Sequence, residues 1–511
     1  MDSKQFPSQM KNHTETCSVA LPPAPALFRF DNSYARLPDR FYARLHPTPV
    51  QHPRLIKLNR SLAEALGIDL ARVDDATAAA IFSGNRIPPG AEPIAMAYAG
   101  HQFGHLVPQL GDGRAILLGE VIGADHKRWD LHLKGSGQTP FSRRGDGRAA
   151  LGPVMREYLI SDAMHALGIP TTRSLAIVAS GEPVYRETVL PGAILTRVAA
   201  SHIRIGTFQY FALRDDTEGL KLLADYAIER HYPEIKAASN PYSALLERVL
   251  EAQAMLVARW MQIGFIHGVM NTDNMTISGE TIDYGPCAFI DSYDPDKVFS
   301  SIDTYGRYAF GNQPRIAQWN LARLAECLLP LLHDQQDQAL ALAQALIGRY
   351  PDRYAWHWLD GMRRKLGLFT AQDQDQALIS ALLALMHRHQ ADYTNTFRAL
   401  CDKVEKPAAQ GLLPDTPDFT DWLAQWQARL AQEAIDPAQR ADAMRQVNPA
   451  YIPRNHRVEQ ALQAAIEQQD FSRFEVLLEV LSRPYDEQPQ WREYRLPPKP
   501  EECVQRTFCG T

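Results

Sequence analysis

The sequence has no run of eighteen apolar residues anywhere in its 511 positions, and that absence excludes a helix crossing the hydrocarbon core of a membrane. It has no excess of one charge: 53 basic and 59 acidic residues leave a net charge of −6. No global field therefore favours nucleic acid or an anionic membrane, and phosphate binding must come from local basic clusters. Cysteine is scarce, with six at 17, 287, 327, 401, 503 and 509 and no CxxC or zinc-type spacing. This argues against a disulfide framework or structural zinc and makes a reducing cytoplasm the expected setting. Residues 1–28 contain acids, lack Arg, and lack an apolar core followed by a small-residue cleavage site, unlike a signal or transit peptide.

What is present is an ordinary globular composition, 45% hydrophobic and 22% charged, on a chain long enough for two or more domains. The stretch His267 to Gly285, HGVMNTDNMTISGETIDYG, carries the chemistry. It holds Asp273-Asn274 and then Asp283 in an Asp-Tyr-Gly triplet. The apolar, β-branched segment between them, Met275 to Ile282 with Gly279, reads as two brief strands joined by a tight turn. Such a hairpin would bring the Asn274 amide oxygen and the Asp283 carboxylate together as two hard oxygen ligands for Mg²⁺ or Mn²⁺ beside nucleotide phosphates.

This is the layout of a kinase-like metal loop, with one departure. Kinase catalytic loops place an Asp about five residues before the metal-binding Asn, and that position here is Val269. The carboxylate stands instead at Asp273. Metal ligands kept and a base moved argue for nucleotide chemistry other than ordinary γ-phosphoryl transfer.

Upstream, Gln109-Leu-Gly-Asp-Gly-Arg114 feeds an apolar strand, and Gly111 and Gly113, lacking Cβ atoms, would let backbone N–H groups approach phosphates. Trp129 to Lys134 alternates as a strand, with Leu131 and Leu133 on one face and Asp130, His132 and Lys134 on the other. Lys134 stands where kinase-like folds put their phosphate-pairing lysine. A second loop, 135–148, has four Gly and three Arg in fourteen residues, a mobile basic loop suited to polyphosphate. Pro153 then opens a helix that Gly168 stops, and its Glu157 would pair with Lys134. Strands over 169–179 and 182–198 follow, with Arg197, Arg204, Arg173 and Arg186 as planar forks for phosphate oxygens.

The remaining periods are helical: 216–232, 241–263, 315–333, 336–349, 353–365, 373–390, 393–403, 418–433, 456–468 and 471–480. Leu55 to Leu66 also has helical apolar spacing, and 28–53, rich in aromatics and proline, reads as an irregular surface wrap. The fold class expected is α+β, a protein-kinase-like bilobal fold with a β-rich N-lobe, a helical C-lobe and a helical C-terminal extension. Its divisions are a disordered lead-in over 1–27, a nucleotide-binding lobe over 28–210, a helical lobe with the metal loop over 211–310, a helical extension over 311–482 and a flexible tail over 483–511 with Cys509.

The blocks YAGHQFGHLVPQLGDGRAILLGE (98–120), DLHLKGSGQTPFSRRGDGRAALGPVMREYLISDAMHALGIPTTRSL (130–175), GFIHGVMNTDNM (264–275), DYGPCAF (283–289) and NPAYIPRNH (448–456) resemble the selenoprotein O family of kinase-fold protein adenylyltransferases. The resemblance runs from about residue 28 over nearly the whole chain. It implies a pseudokinase fold that binds ATP inverted and transfers AMP to Ser, Thr or Tyr hydroxyls of proteins, releasing pyrophosphate, with UTP as a further candidate donor of UMP. It implies that Gly111, Gly113, Arg114, Lys134, Asp146, Gly147, Arg197, Arg204 and Asp283 hold the nucleotide, that Asp273 is the proton acceptor, and that Asn274 and Asp283 bind Mg²⁺ or Mn²⁺. The partners implied are ATP and hydroxyl-bearing proteins, with no nucleic acid and no membrane.

Cys509 falls where eukaryotic members carry selenocysteine, as in a cysteine-containing bacterial-type member. The family's redox control pairs a tail cysteine with one in the loop after the metal triplet. Here the loop Lys297–Ser301 has none, and Cys287 is the nearest candidate. Two other readings stay open on the residues alone: a kinase transferring γ-phosphate, which Val269 disfavours, and a catalytically silent nucleotide-binding scaffold.

Overall fold

The computed structural model describes residues 27–405 and 416–508. Cys509 and nearly all of the expected lead-in over 1–27 lie outside the described residues. The fold is mixed α and β, built on an eight-stranded sheet. Its strands run in the order Tyr42–Arg44, Ile94–Met96, Ala115–Ile122, Arg128–Lys134, Val189–Ala199, Arg173–Tyr185 and Arg54–Leu58, with the short Ala149–Ala150 also pairing with Val189–Ala199. Every pair is antiparallel.

The sheet is covered on both faces, and its alternation follows from that. Leu131 and Leu133 turn toward a core completed by Leu62, Phe82, Ile194 and Val198, under the helices Arg60–Ala65 and Asp75–Phe82. The helix Leu151–Ala166 packs the other face through Val154, Met155, Tyr158 and Leu159 against Ile177 and Leu195. Asp130, on that second face, is fully buried yet ionised, because Arg230 stands 2.6 Å from Oδ1 and His202 Nδ1 lies 2.9 Å from Oδ2. Burial there holds His202 neutral, lowering its pKa to about 4.

The sheet's two edges are a short connection apart. Strands Tyr42–Arg44 and Arg54–Leu58 lie at opposite ends of the order, joined only by residues 45–53, which pass beneath the second Gly-rich loop where Thr48 N–H donates to the Ser136 carbonyl at 2.8 Å. The expected irregular surface wrap over 28–53 therefore contributes an edge strand, and Phe28, Tyr34, Phe41 and Tyr42 are buried. The helical spacing of Leu55 to Leu66 spans two elements, because Asn59 ends the strand and caps the helix Arg60–Ala65 by accepting from Leu62 N–H at 3.0 Å.

The helix Pro241–Ile263 runs through the helical half. Asn240 caps it, and it ends at Gly264 with φ +75°. It delivers the strand Phe265–Ile266, which pairs with Ala288–Phe289. That two-stranded clasp holds the whole loop 267–287 by its base. The helices Gln313–Leu332, Gln336–Ile347 and Tyr350–Lys365 pack around the long helix. Asp375–Arg388, Tyr393–Glu405, Pro417–Leu430 and Pro437–Arg445 share a second core around Trp422 and Trp426. Asn455–Gln468 and Ser472–Leu481 return to cover Leu151–Ala166. Among the described residues no helix is long and apolar enough to cross a membrane.

Candidate active site

A cavity of about 750 Å³ lies between the sheet and the loop 267–287. The residues that the resemblance assigns to nucleotide, proton and metal all line it: Gly111, Gly113, Arg114, Lys134, Asp146, Gly147, Arg197, Arg204, Asp273, Asn274 and Asp283. Arg173 does not; it pairs outward with Asp162 at 3.4 Å.

Strand register brings the first cations together. Arg197 lies opposite His132, and Leu195 opposite Lys134, so both basic side chains emerge on the cavity face. Glu157, from the helix beneath, accepts from Lys134 Nζ at 2.5 Å and from Arg197 Nη2 at 3.0 Å. Arg197 Nε stands 2.5 Å from the other Glu157 oxygen, an ion-pair contact without hydrogen-bond alignment. Arg197 Nη2 is also 2.7 Å from Asp283 Oδ1, and Arg204 pairs with Asp283 Oδ2 and with the Asp273 carbonyl. The Arg204 guanidinium lies 4.9 Å above the Tyr98 ring.

The site is thus one continuous chain of alternating charge: Lys134, Glu157, Arg197, Asp283, Arg204. Burial alone would raise the Asp283 pKa, yet Arg204, Arg197 and Lys134 hold it well below the usual carboxylate range. Glu157 is likewise held down by Arg197 and Lys134 against its burial. For Lys134 burial prevails, and its pKa is lowered even beside Glu157. Asp283 adopts φ +60°, uncommon for a residue with a side chain.

Asp273 sits in the short 3₁₀ turn Thr272–Asn274 under different conditions. Burial raises its pKa to about 6, against the pull of Arg204, and its Oδ1 is buried with no hydrogen-bond partner. A carboxylate so placed accepts a proton readily near neutral pH. Val269, also on the cavity wall, supplies no competing base. Asn274 spends its Nδ2 on the Val269 carbonyl at 2.9 Å, leaving its side-chain oxygen as an acceptor. Among the described residues there is no cluster of three or more His, Cys, Asp or Glu that could hold a metal by itself. Asn274 and ionised Asp283 nonetheless fit a hard cation that takes its other ligands from phosphate and water.

The expected hairpin over Met275 to Ile282 does not form. Thr276 bridges to Arg204 and Thr281 to Thr171, so each half of the segment pairs with a different neighbour. Trp260 Nε1–H donates to Thr281 Oγ1 at 2.9 Å, and His267 Nε2–H donates to the Ile282 carbonyl at 2.8 Å. Asn274 and Asp283 still reach the same cavity.

Gly111 lines the cavity and also has a packing role. Its φ is +79°, and a Cβ there would fall 2.4 Å from the Phe141 ring. The glycine admits the second loop, which lies over the first through Thr139 Oγ1–H to the Asp112 carbonyl at 2.7 Å. The two loops form one lid edge, with Arg143, Arg144 and Arg148 along it and Asp146 held by Arg186 at 2.8 and 3.1 Å.

Composition and periodicity do not point to a clamp on the turn Thr272–Asn274. The hairpin Gly100–Gln102 and His105–Val107 presses directly onto it. His101 N–H donates to Thr272 Oγ1 at 2.6 Å, Phe103 N–H to Asn271 Oδ1 at 3.0 Å, and Gln102 Nε2 to Asp273 Oδ2 at 3.4 Å. A Cβ on Gly100 would stand 2.4 Å from Asp273 Oδ1. Gly104 after Phe103 is a local signal that could have indicated this hairpin, but nothing local indicates its target.

A family model described as protein adenylyltransferase SelO matches residues 26–482. The chain is 63% identical over 490 residues to the protein nucleotidyltransferase YdiU of Rhizobium etli, an alignment covering 95% of this chain and 98% of that one. It is 62% identical over 488 residues to the protein of the same name from Rhizobium meliloti, with 95% and 99% covered. A Bradyrhizobium protein of that name is 60% identical over 487 residues, again with 95% and 99% covered.

Proposed function

The chain belongs to the SelO family and is a nucleotidyltransferase, and from that premise we propose that it moves AMP from ATP onto Ser, Thr or Tyr hydroxyls of other proteins. The observation that carries the proposal is the pairing of an unpartnered, buried Asp273 Oδ1 with a wall of cations and an apolar Val269. In a γ-phosphoryl kinase the base would stand at Val269; here the carboxylate ahead of Asn274 is Asp273, one residue before it and on the cavity wall.

In this reading the acceptor oxygen attacks the α-phosphorus as its proton passes to Asp273 Oδ1. A new oxygen–phosphorus bond forms, the bond from the α-phosphorus to the bridging oxygen breaks, and pyrophosphate leaves with that oxygen. Lys134, Arg114 and Arg197, with the arginines of the second loop, hold the β- and γ-phosphates and stabilise the leaving charge. General-base help of this kind contributes about 10²–10⁴-fold. Gly111, Gly113, Asp146, Gly147, Arg204 and Asp283 complete the nucleotide wall. A divalent cation, Mg²⁺ or Mn²⁺, would be held by Asn274 and Asp283 and would neutralise phosphate charge. UMP transfer from UTP, a cytoplasmic setting, a kinase-like bilobal arrangement and lobe boundaries near residues 210 and 310 belong to the same proposal. The division is supported by the change from sheet to helices near residue 205.

The test is the purified chain with ATP labelled separately at the α- and γ-phosphates, with Mg²⁺ or Mn²⁺, followed by mass spectrometry of the acceptor. The expected result is α-label alone, as one AMP on a hydroxyl residue, lost in Asp273→Ala. Label from the γ-phosphate would restore the kinase reading. Binding of ATP with no label transferred would make the chain a silent scaffold.

A further inference from the structure

Near the end of the described chain, one residue is docked at the mouth of the cavity. Thr507 bridges in parallel to Ser300. Its N–H donates to the Phe299 carbonyl at 2.7 Å, its carbonyl accepts from Ser301 N–H at 3.0 Å, and its hydroxyl donates to the Pro286 carbonyl at 2.6 Å. Thr507 is 1% exposed, whereas Phe508, the next residue, is 68% exposed and lines the same cavity as Asp273. Ile302 and Tyr185, also exposed, line it too.

Two of the three bonds use main-chain atoms that every polypeptide carries, and the third needs only a hydroxyl. The dock is fixed to the reaction centre, because Pro286 follows directly on the Asp283-Tyr284-Gly285 triplet. Added strands of this kind draw affinity from the backbone and tolerate many side chains. Each such bond contributes little net stability once competition from water is counted, so a segment held this way is displaceable by another of the same form.

We propose that the backbone edge Phe299–Ser301 is where the acceptor polypeptide docks. It would add as an extended strand in the place of Thr507, with its hydroxyl residue entering the cavity where Phe508 now stands. This rests on the protein-acceptor reading above and gives it a location. The chain's own tail then acts as a resident competitor, and a sequence-tolerant backbone dock suits an enzyme whose acceptors share little beyond a hydroxyl.

The probe is a fluorescent peptide with the sequence of residues 499–508, carrying Ser at its Cys503 position, and binding is read by anisotropy. Three full-length proteins are compared: the parent, Thr507→Pro, which frees the dock, and Ser301→Pro combined with Thr507→Pro, which frees it and removes its donor. Thr507→Pro is expected to bind the peptide at least fivefold more tightly than the parent, and the double variant at least fivefold more weakly than Thr507→Pro. A peptide with N-methylated Thr at position 507 changes no protein residue, and it should also bind at least fivefold more weakly to Thr507→Pro. Equal binding across the three proteins and both peptides overturns the proposal. The same peptide with Phe508→Tyr then serves as acceptor for α-labelled ATP. Its KM should rise at least fivefold in the double variant with the KM for ATP unchanged. If the binding pattern holds and no label reaches any protein, the adenylyl-transfer reading fails while the dock stands. If label transfers and neither substitution alters peptide binding, the dock alone fails.

Discussion

Gln102 donates its side-chain amide to the Asp273 carboxylate at 3.4 Å across 171 residues of sequence. The bond is long, and among the described residues Oδ1 has no hydrogen-bond partner. Gln102 is therefore a positioning residue for the proposed base. Gln102→Ala is expected to lower kcat about tenfold with the KM for ATP unchanged, as fits loss of orientation in the transition state alone. Steady-state kinetics at saturating acceptor, with thermal unfolding as the fold control, reads this split; a rise in the KM for ATP of the same size would refute it.

Gly100→Ala tests the same clamp by crowding. The added methyl would stand 2.4 Å from Asp273 Oδ1, so the turn must shift, and a displacement of about 1 Å can cost on the order of 10²-fold in rate. ATP affinity, which the proposed function places on the opposite wall, should stay within about twofold. Full activity in Gly100→Ala would mean that the turn yields freely.

Glu157→Ala removes the anion between Lys134 and Arg197, both less than 10% exposed at the side chain. Two buried cations left without it should destabilise the fold by about 3–5 kcal/mol, and Glu157→Gln, which keeps one acceptor, by less. Urea denaturation with ATP titration on each variant checks both the order and the accompanying loss of nucleotide affinity.

Lys365 offers a pH signature remote from the cavity. Its ammonium lies 4.3 Å from the Phe397 ring, with no carboxylate partner among the described residues, and burial lowers its pKa from 10.5 to about 7. The folded value sits below the unfolded one, so between those pH values the unfolded chain binds a proton that the native chain has released. Stability should therefore rise with pH across that window, and the cost of burying the charge is fully present below it. Lys365→Met is expected to flatten the slope and to stabilise the protein at neutral pH by about 1–4 kcal/mol. Denaturation midpoints at pH 7 and 9 decide it; parallel shifts in parent and variant would rule out the lysine as the source.

The parts of this site that sequence reasoning reached are those whose partners are set by a strand and the helix that follows it. Lys134 and Glu157 pair because one ends a strand and the other lies in the next helix, and Arg197 joins them through strand register. The boundaries of Pro241–Ile263 were legible because Pro241 and Gly264 punctuate them. Contacts made at long range were not legible. The apolar period from Leu55 to Leu66 looked continuous because two strand leucines happen to fall in phase with the helix that Asn59 begins. Met275 to Ile282 had the composition of a hairpin, but Thr171 and Arg204 offered its halves better partners. The Gln102 clamp depends on a surface that exists only once the helical half has folded.

The connection 45–53 can also be considered as a length. Between Arg44 and Arg54 it can reach at most about 33–36 Å, at ~3.3–3.6 Å per residue. The strands it joins stand at opposite edges of the sheet, on the order of 29 Å apart at ~4.8 Å per strand spacing. Pro47, Pro49 and Pro53 stiffen it toward full extension. A connection with so little length to spare limits the width of the sheet it can span, so an added strand would need a longer cord and a shorter cord would pull the edges inward. Because Arg148 donates to the Thr48 and Pro49 carbonyls, a change in that cord's length or path bears directly on the basic loop at the cavity rim.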